Sequence, residues 1–209
     1  MTVWPYGTAA MAVAAVLAVA LGPLSRGLAS SGSRWLAWPA LAALGATLGL
    51  GASLAARTLA ELAVVPLFGA CCAALTAVDL AVQRLPDSLV AAAAGTLVLG
   101  LGVVAVVSAE PSRWGRALLG GVALFAAFLV LALISPSQLG LGDVKLAGAL
   151  GIFLGWSGWR TVLYGGLFAF LLSVVVGLAL IVSRRGSLKT QYPFGPLMIA
   201  GAVVAAVVV

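Results

Sequence analysis

The chemistry open to this chain rests on carboxylates, because the sequence has five acidic residues and no histidine. The missing histidine excludes Ser-His-Asp triads and His-ligated metal or haem centres. The two cysteines, Cys71 and Cys72, are adjacent and lack the spacing of metal ligands, so we predict no metal site. Two aspartates held close together share a proton, because both cannot ionise at low cost. Such a pair can act as base and acid while water attacks a carbonyl directly.

The first candidate aspartate lies in the stretch TAVDLAVQRLPDSLV. Asp79 falls inside an apolar helix, about two turns before Pro86, which cannot continue that helix. An uncompensated carboxylate at this depth is costly, which predicts a functional role for Asp79. Asp87 or Ser88 could cap the next helix, and contact with a substrate is the alternative role for Asp87. We prefer the cap.

The second candidate lies in LGLGDVK, where Gly140 and Gly142 permit a tight turn or a close approach of another chain segment. Asp143 follows at the start of a helix, where it could simply be an N-terminal cap. Lys145 points to another face of the same helix. It could extend to the lipid headgroups, pair with Asp87, or bind a substrate, with a slight preference for the headgroups.

Composition determines the kind of fold that must position these residues. The chain is 64% hydrophobic and only 8% charged, whereas soluble domains are about one quarter charged. A soluble protein of 209 residues could not bury this much apolar surface. The sequence therefore predicts an all-α polytopic protein in the lipid bilayer. The net charge of +6 is assigned to loops facing anionic lipid and not to nucleic-acid binding.

Breaker residues divide the chain into about eight apolar segments, each a predicted transmembrane helix. The first is interpreted as a retained helix and not a signal peptide, because no basic residue precedes it. The predicted segments are 6–24, 35–56, 60–82, 88–108, 115–134, 143–159, 161–183 and 194–209.

Basic residues in alternate loops predict the orientation in the membrane, because cytoplasmic loops carry the excess of Lys and Arg. The richer set is Arg26, Arg34, Arg84, Lys145, Arg184, Arg185 and Lys189, against Arg57, Arg113, Arg116 and Arg160. All three aspartates then fall at cytoplasmic helix ends, and both termini lie outside the cytoplasm. Glu61 and Glu110 are expected to be solvated charges in the outer loops.

Three motifs in this order resemble the prepilin peptidases. GLGDVKLAGALG, the preceding D-x5-LPD and the later YPFGP are similar to this family of type IV leader peptidases, GxGD-class membrane aspartic proteases. The resemblance covers about residues 64–205. It implies the GxGD aspartic protease fold, with Asp79 and Asp143 as the catalytic pair. Supporting motif residues are Gly140, Gly142, Lys145, Pro86 and Asp87; a possible substrate-binding segment is Pro193, Phe194, Gly195 and Pro196. A rigid start of the last helix explains those prolines equally well.

The resemblance also implies a function. The expected activity is a membrane-embedded aspartic endopeptidase that removes the short basic leader from type IV prepilins or pseudopilins, at the cytoplasmic face of the bacterial inner membrane. Residues 1–209 would form a single membrane domain, with an N-terminal two-helix part at 1–60 and a peptidase core at 61–209. The alternatives are a catalytically silent pilus or secretion assembly protein and a proton-coupled transporter.

One stretch departs from the family pattern. Many members carry a zinc-binding domain with two cysteine pairs between the first two helices, associated with N-methylation. The corresponding residues 22–35 contain no cysteine. We therefore expect a short form without the methyltransferase domain, with no cofactor, neither zinc nor S-adenosylmethionine.

Overall fold

The computed structural model describes residues 7–30, 32–135, 139–184 and 192–209. Within these ranges every regular element is helical, which confirms the all-α prediction. The helices are α1 (Gly7–Ala20), α2 (Gly22–Ala29), α3 (Trp38–Leu54), α4 (Leu59–Val82), α5 (Asp87–Val107), α6 (Pro111–Ile134), α7 (Leu141–Ser157), α8 (Trp159–Val182) and α9 (Gly195–Val208), with a short 3-10 turn at Arg34–Leu36.

Proline begins several of these helices. It occupies one of the first two positions of α2, α3, α6 and α9, where its missing N–H has no helical partner to lose. The first predicted segment, 6–24, is wrong in detail for this reason: the chain bends by 44° between α1 and α2, and α2 continues to Ala29. The other predicted segments match the observed helices to within a few residues.

Among the described residues, four helices, α4, α5, α6 and α8, are long and apolar enough to cross a membrane, and the bent pair α1–α2 would make five. The protein is therefore a polytopic membrane protein, while the number of eight spans stays a prediction. The most apolar part of α8 is only 11% buried within the protein, against 83% for α4. Helix α8 thus leaves a broad apolar face for lipid, whereas α4 is the central helix of the bundle.

Close helix packing fixes the elements that carry the two aspartates. Helix α4 packs against α1, α3, α5 and α9. Helices α6 and α7 approach each other through small residues, since a Cβ atom added at Gly155 would lie 2.8 Å from the Arg116 carbonyl oxygen. Small residues allow this close backbone approach, and van der Waals packing is the main attraction between helices in lipid. Both aspartate-bearing helices are therefore held along their length.

Candidate active site

Asp79 lies in the last turn of α4 and is only 5% exposed. The helix ends at Val82, because Gln83 adopts a left-handed conformation and donates its backbone N–H to the carbonyl oxygen of Asp79 at 2.8 Å. The carboxylate of Asp79 is bound from another element: its Oδ2 accepts the backbone N–H of Gly195 at 3.0 Å. The start of α9 therefore orients this side chain.

Asp143 is half-buried in the first turn of α7. It is not the N-cap, which corrects the simplest interpretation of its position: Gly140 is the N-cap, in an extended conformation. Oδ2 of Asp143 instead accepts the backbone N–H of Gly140 at 3.3 Å. This hydrogen bond gives the backbone N–H of Gly140 a partner at the N-terminal end of α7.

The predicted motifs converge on Leu85. A Cβ atom added at Gly142 would lie 3.0 Å from Cβ of Leu85, and one added at Gly195 would lie 3.3 Å from Cδ2 of Leu85. Gly142 thus makes the close approach predicted for it. Gly142 is next to Asp143, and Gly195 binds Asp79, so Leu85 lies between the segments that carry the two aspartates. Residues far apart in the chain therefore form one site at the end of the bundle where α4 ends and α7 and α9 begin.

Asp87 and Lys145 form a separate ion pair beside this site. Nζ of Lys145 lies 2.7 Å from Oδ2 of Asp87, and the two side chains are 45% and 72% exposed. The structure thus shows the pairing alternative for Lys145 and not the preferred extension to the headgroups. The expected cap by Asp87 or Ser88 is wrong, because Pro86 is the N-cap of α5 and no side chain caps that end. An exposed pair of this kind contributes about 1 kcal/mol or less.

The segment before α9 is anchored by aromatic residues. The hydroxyl of Tyr192 donates to the carbonyl oxygen of Ser173 at 2.9 Å. The ring of Phe194 lies 5.7 Å from that of Phe170 and 6.3 Å from that of Phe128. Pro193 and Pro196 thus belong to a rigid start of α9, which carries the N–H of Gly195 to Asp79. Binding of substrate by this segment stays a prediction.

Glu61 lies at the opposite end of α4, and the expectation of a solvated loop charge is wrong for it. The residue is 2% exposed, and its Oε1 lies 3.2 Å from Nη2 of Arg113. Its Oε2 accepts the backbone N–H of Arg57 at 2.6 Å. The sequence held a signal for this position: Thr58 precedes Glu61 by three residues, the spacing of a capping box, and Thr58 caps α4.

Within the described ranges, no three Cys, Asp or Glu side chains come together as metal ligands. Asp79 and Asp143 are the two carboxylates that the structure brings to this end of the bundle, each bound by a backbone N–H group. Such a pair can bind and activate water next to a carbonyl group.

The part of the chain that carries both aspartates is similar to a known protein family. A sequence profile of the type IV leader peptidase family matches residues 66–182, a range that contains both Asp79 and Asp143. No solved structure gives a significant match.

Three curated relatives carry the name prepilin leader peptidase/N-methyltransferase. The relative from Stutzerimonas stutzeri is 33% identical over 123 residues, which cover 57% of this chain and 40% of the relative. That from Pseudomonas aeruginosa is 32% identical over 126 residues, 57% of this chain and 40% of the relative. The relative from Bacillus subtilis is 30% identical over 92 residues, which cover 44% of this chain and 36% of the relative. The matched part of the chain thus corresponds to about two fifths of these relatives.

Proposed function

Since the chain belongs to the type IV leader peptidase family, we propose that it is a membrane-embedded aspartic endopeptidase. Its substrates are type IV prepilins or pseudopilins, from which it removes the short basic leader at the cytoplasmic face of the bacterial inner membrane. The observation that supports this most is that the helix ends carrying Asp79 and Asp143 meet around Leu85 at one end of the bundle. Both residues lie inside the matched range.

In the proposed mechanism the two aspartates share one proton. The ionised aspartate removes a proton from a bound water, whose oxygen attacks the scissile carbonyl carbon, while the protonated aspartate gives its proton to the carbonyl oxygen. The resulting diol collapses when the C–N bond breaks. The leaving amine takes the proton held by the first aspartate, and the diol returns one to the second.

The surroundings of the two carboxylates suit this chemistry. Asp79 is buried and held by the Gly195 N–H, so its geometry is fixed before substrate binds. Asp143 is half-buried, so part of its side chain stays accessible from outside the protein. Since both lie at helix ends, a substrate segment that is extended and not helical could reach them.

A cleavage assay tests the proposal. Purified protein in lipid is mixed with a prepilin from the same organism, beside the Asp79→Asn and Asp143→Asn variants. We expect a mobility shift the size of the leader that disappears in both variants. Full activity in either variant would contradict the aspartic mechanism. No cleavage of several prepilins by folded protein would favour the assembly-protein or transporter alternatives.

We propose further that the protein cleaves prepilins without methylating them. Residues 22–29 form helix α2, and the stretch 22–35 has none of the cysteine pairs of the methyltransferase domain. Incubation with prepilin and a labelled methyl donor is expected to give cleaved, unlabelled pilin. Label on the pilin would contradict this part of the proposal.

A further inference from the structure

A groove of about 740 Å³ opens between α5, α6 and α7, and it reaches the first helical turns of α5 and α7 at Asp87 and Lys145. Lys145, Gly148, Ala149 and Ile152 of α7 line it, spaced as one face of a helix. Asp143 lies about 200° around the helix axis from Lys145, so its side chain points to the other face. The groove and the aspartates therefore share the first turn of α7 but lie on different sides of it.

The groove suits an apolar helix. Ala91 and Ala94 on α5 face Gly148 and Ala149 on α7, and small residues let another helix backbone come close in a membrane. The outer wall on α6 is apolar, and its Phe125 is 40% exposed. From Asp87 to Ala94 the groove runs along about two helical turns, roughly 10 Å. A partner helix could thus lie along it for that distance.

Charge at one end of the groove distinguishes between possible occupants. The Asp87–Lys145 pair lies there, and Asp87 is the more exposed member, at 72% against 45%. A cation arriving from water therefore meets a carboxylate first, which favours a basic segment over an anionic lipid headgroup. The groove thus has an exposed carboxylate, that of Asp87, at one end, and apolar walls along the rest of its length.

We propose that this groove docks the hydrophobic helix of the prepilin, with the basic leader residues at Asp87. This inference rests on the proposed function, whose substrate has a basic segment followed directly by an apolar helix. The junction between the two would then lie at the N-terminal end of α7. From there an extended segment passes the first turn of α7 to reach Asp79 and Asp143.

Photo-crosslinking tests the proposal. Phe125→p-benzoylphenylalanine places a photoreactive group in the groove, and Tyr164→p-benzoylphenylalanine on α8 is the control, since the two aromatic side chains are 40% and 39% exposed. Each variant is reconstituted in lipid with a prepilin from the same organism and irradiated, and cleavage is measured in the same sample. We expect the prepilin adduct at position 125 to exceed that at position 164 several-fold.

The outcomes separate the two proposals. Normal cleavage with equal adducts at both positions would overturn the groove alone. A lipid adduct, or a dimer of this chain, that prepilin does not reduce at position 125 would overturn it too. A parent protein that cuts no prepilin would overturn the proposed function and this inference with it.

A steric variant gives a second test. Ala91→Phe fills the groove, whereas Ala92→Phe, on the next residue of α5, is exposed outside the groove lining. We expect Ala91→Phe to raise the KM for prepilin about tenfold with kcat little changed, because packing of the partner helix is lost. Equal KM values for the two variants would contradict docking in the groove.

Discussion

The two ends of the bundle differ in the charges that they bring together, although the same two helices, α4 and α7, run between them. At one end, Asp79 and Asp143 are both acidic and are held by backbone N–H groups. At the other end opposite charges are paired. We call the residues of that end the arginine cluster: Glu61, Glu110, Arg113, Arg116 and Trp156.

In the arginine cluster almost every contact joins different helices. Arg113 bonds to Glu110 at 2.6 Å and pairs with buried Glu61 of α4, and its guanidinium lies 4.3 Å from the ring centre of Trp156 of α7. Arg116 donates to the carbonyl oxygens of Gly155 and Trp156, at 2.9 and 3.0 Å. These carbonyls at the end of α7 would otherwise lack partners in an apolar environment. One end of the bundle thus holds the helices together through paired charges, while the other keeps two carboxylates that no basic side chain balances within the contacts described above.

Breaking the arginine cluster is expected to give the largest effect on stability. Arg113→Ala leaves the carboxylate of Glu61 buried without its cation, which costs about 3 kcal/mol or more. The unfolding temperature in detergent should fall clearly, while the rate of cleavage per folded molecule should change little. Arg160→Ala, at an exposed position, is the control and should unfold like the parent. An unfolding temperature equal to that of the parent would show that the cluster does not hold the helices.

Breaking the aspartate end should reduce activity without comparable loss of stability. A Cβ atom at Gly195 would lie 2.8 Å from Oδ2 of Asp79, so Gly195→Ala must displace the carboxylate or the start of α9. We expect kcat to fall about ten- to a hundredfold, because small misplacements of a reacting group are costly. Gly95→Ala is the control, since its added Cβ meets no atom within 4 Å. Equal kcat values for the two variants would exclude a positioning role for Gly195.

The ion pair Asp87–Lys145, which lies at the aspartate end of the bundle, is expected to contribute least to stability. Asp87→Asn removes one charge of an exposed pair, so the loss in stability should be about 1 kcal/mol or less and should shrink further in high salt. Cleavage should weaken mildly, in KM more than in kcat. Loss of activity as complete as in Asp143→Asn would instead place Asp87 in the catalytic set.

Much of the site could be predicted because its signals are local. The motif glycine Gly142 and the breaker Pro86 sit within a few residues of the aspartates they serve. The sequence left three roles open for Lys145, and the solvated charge expected for Glu61 is wrong, because the signals that decide these two residues are not local. Lys145 pairs with a residue 58 positions away, and Glu61 with Arg113 on another helix. A charge count along the chain cannot show which loops fold together.

The sequence by itself determined the helical membrane class, the approximate helix limits and the two candidate aspartates. These follow from hydropathy over about 20 residues, from prolines that cannot continue a helix, and from the scarcity of carboxylates in an apolar chain. Only the tertiary structure decided that Gly195 N–H, 116 residues away, binds Asp79, that Leu85 lies between two glycines, and that Glu61 is buried. Those contacts depend on how helices pack against each other, and the packing is a property of the whole bundle.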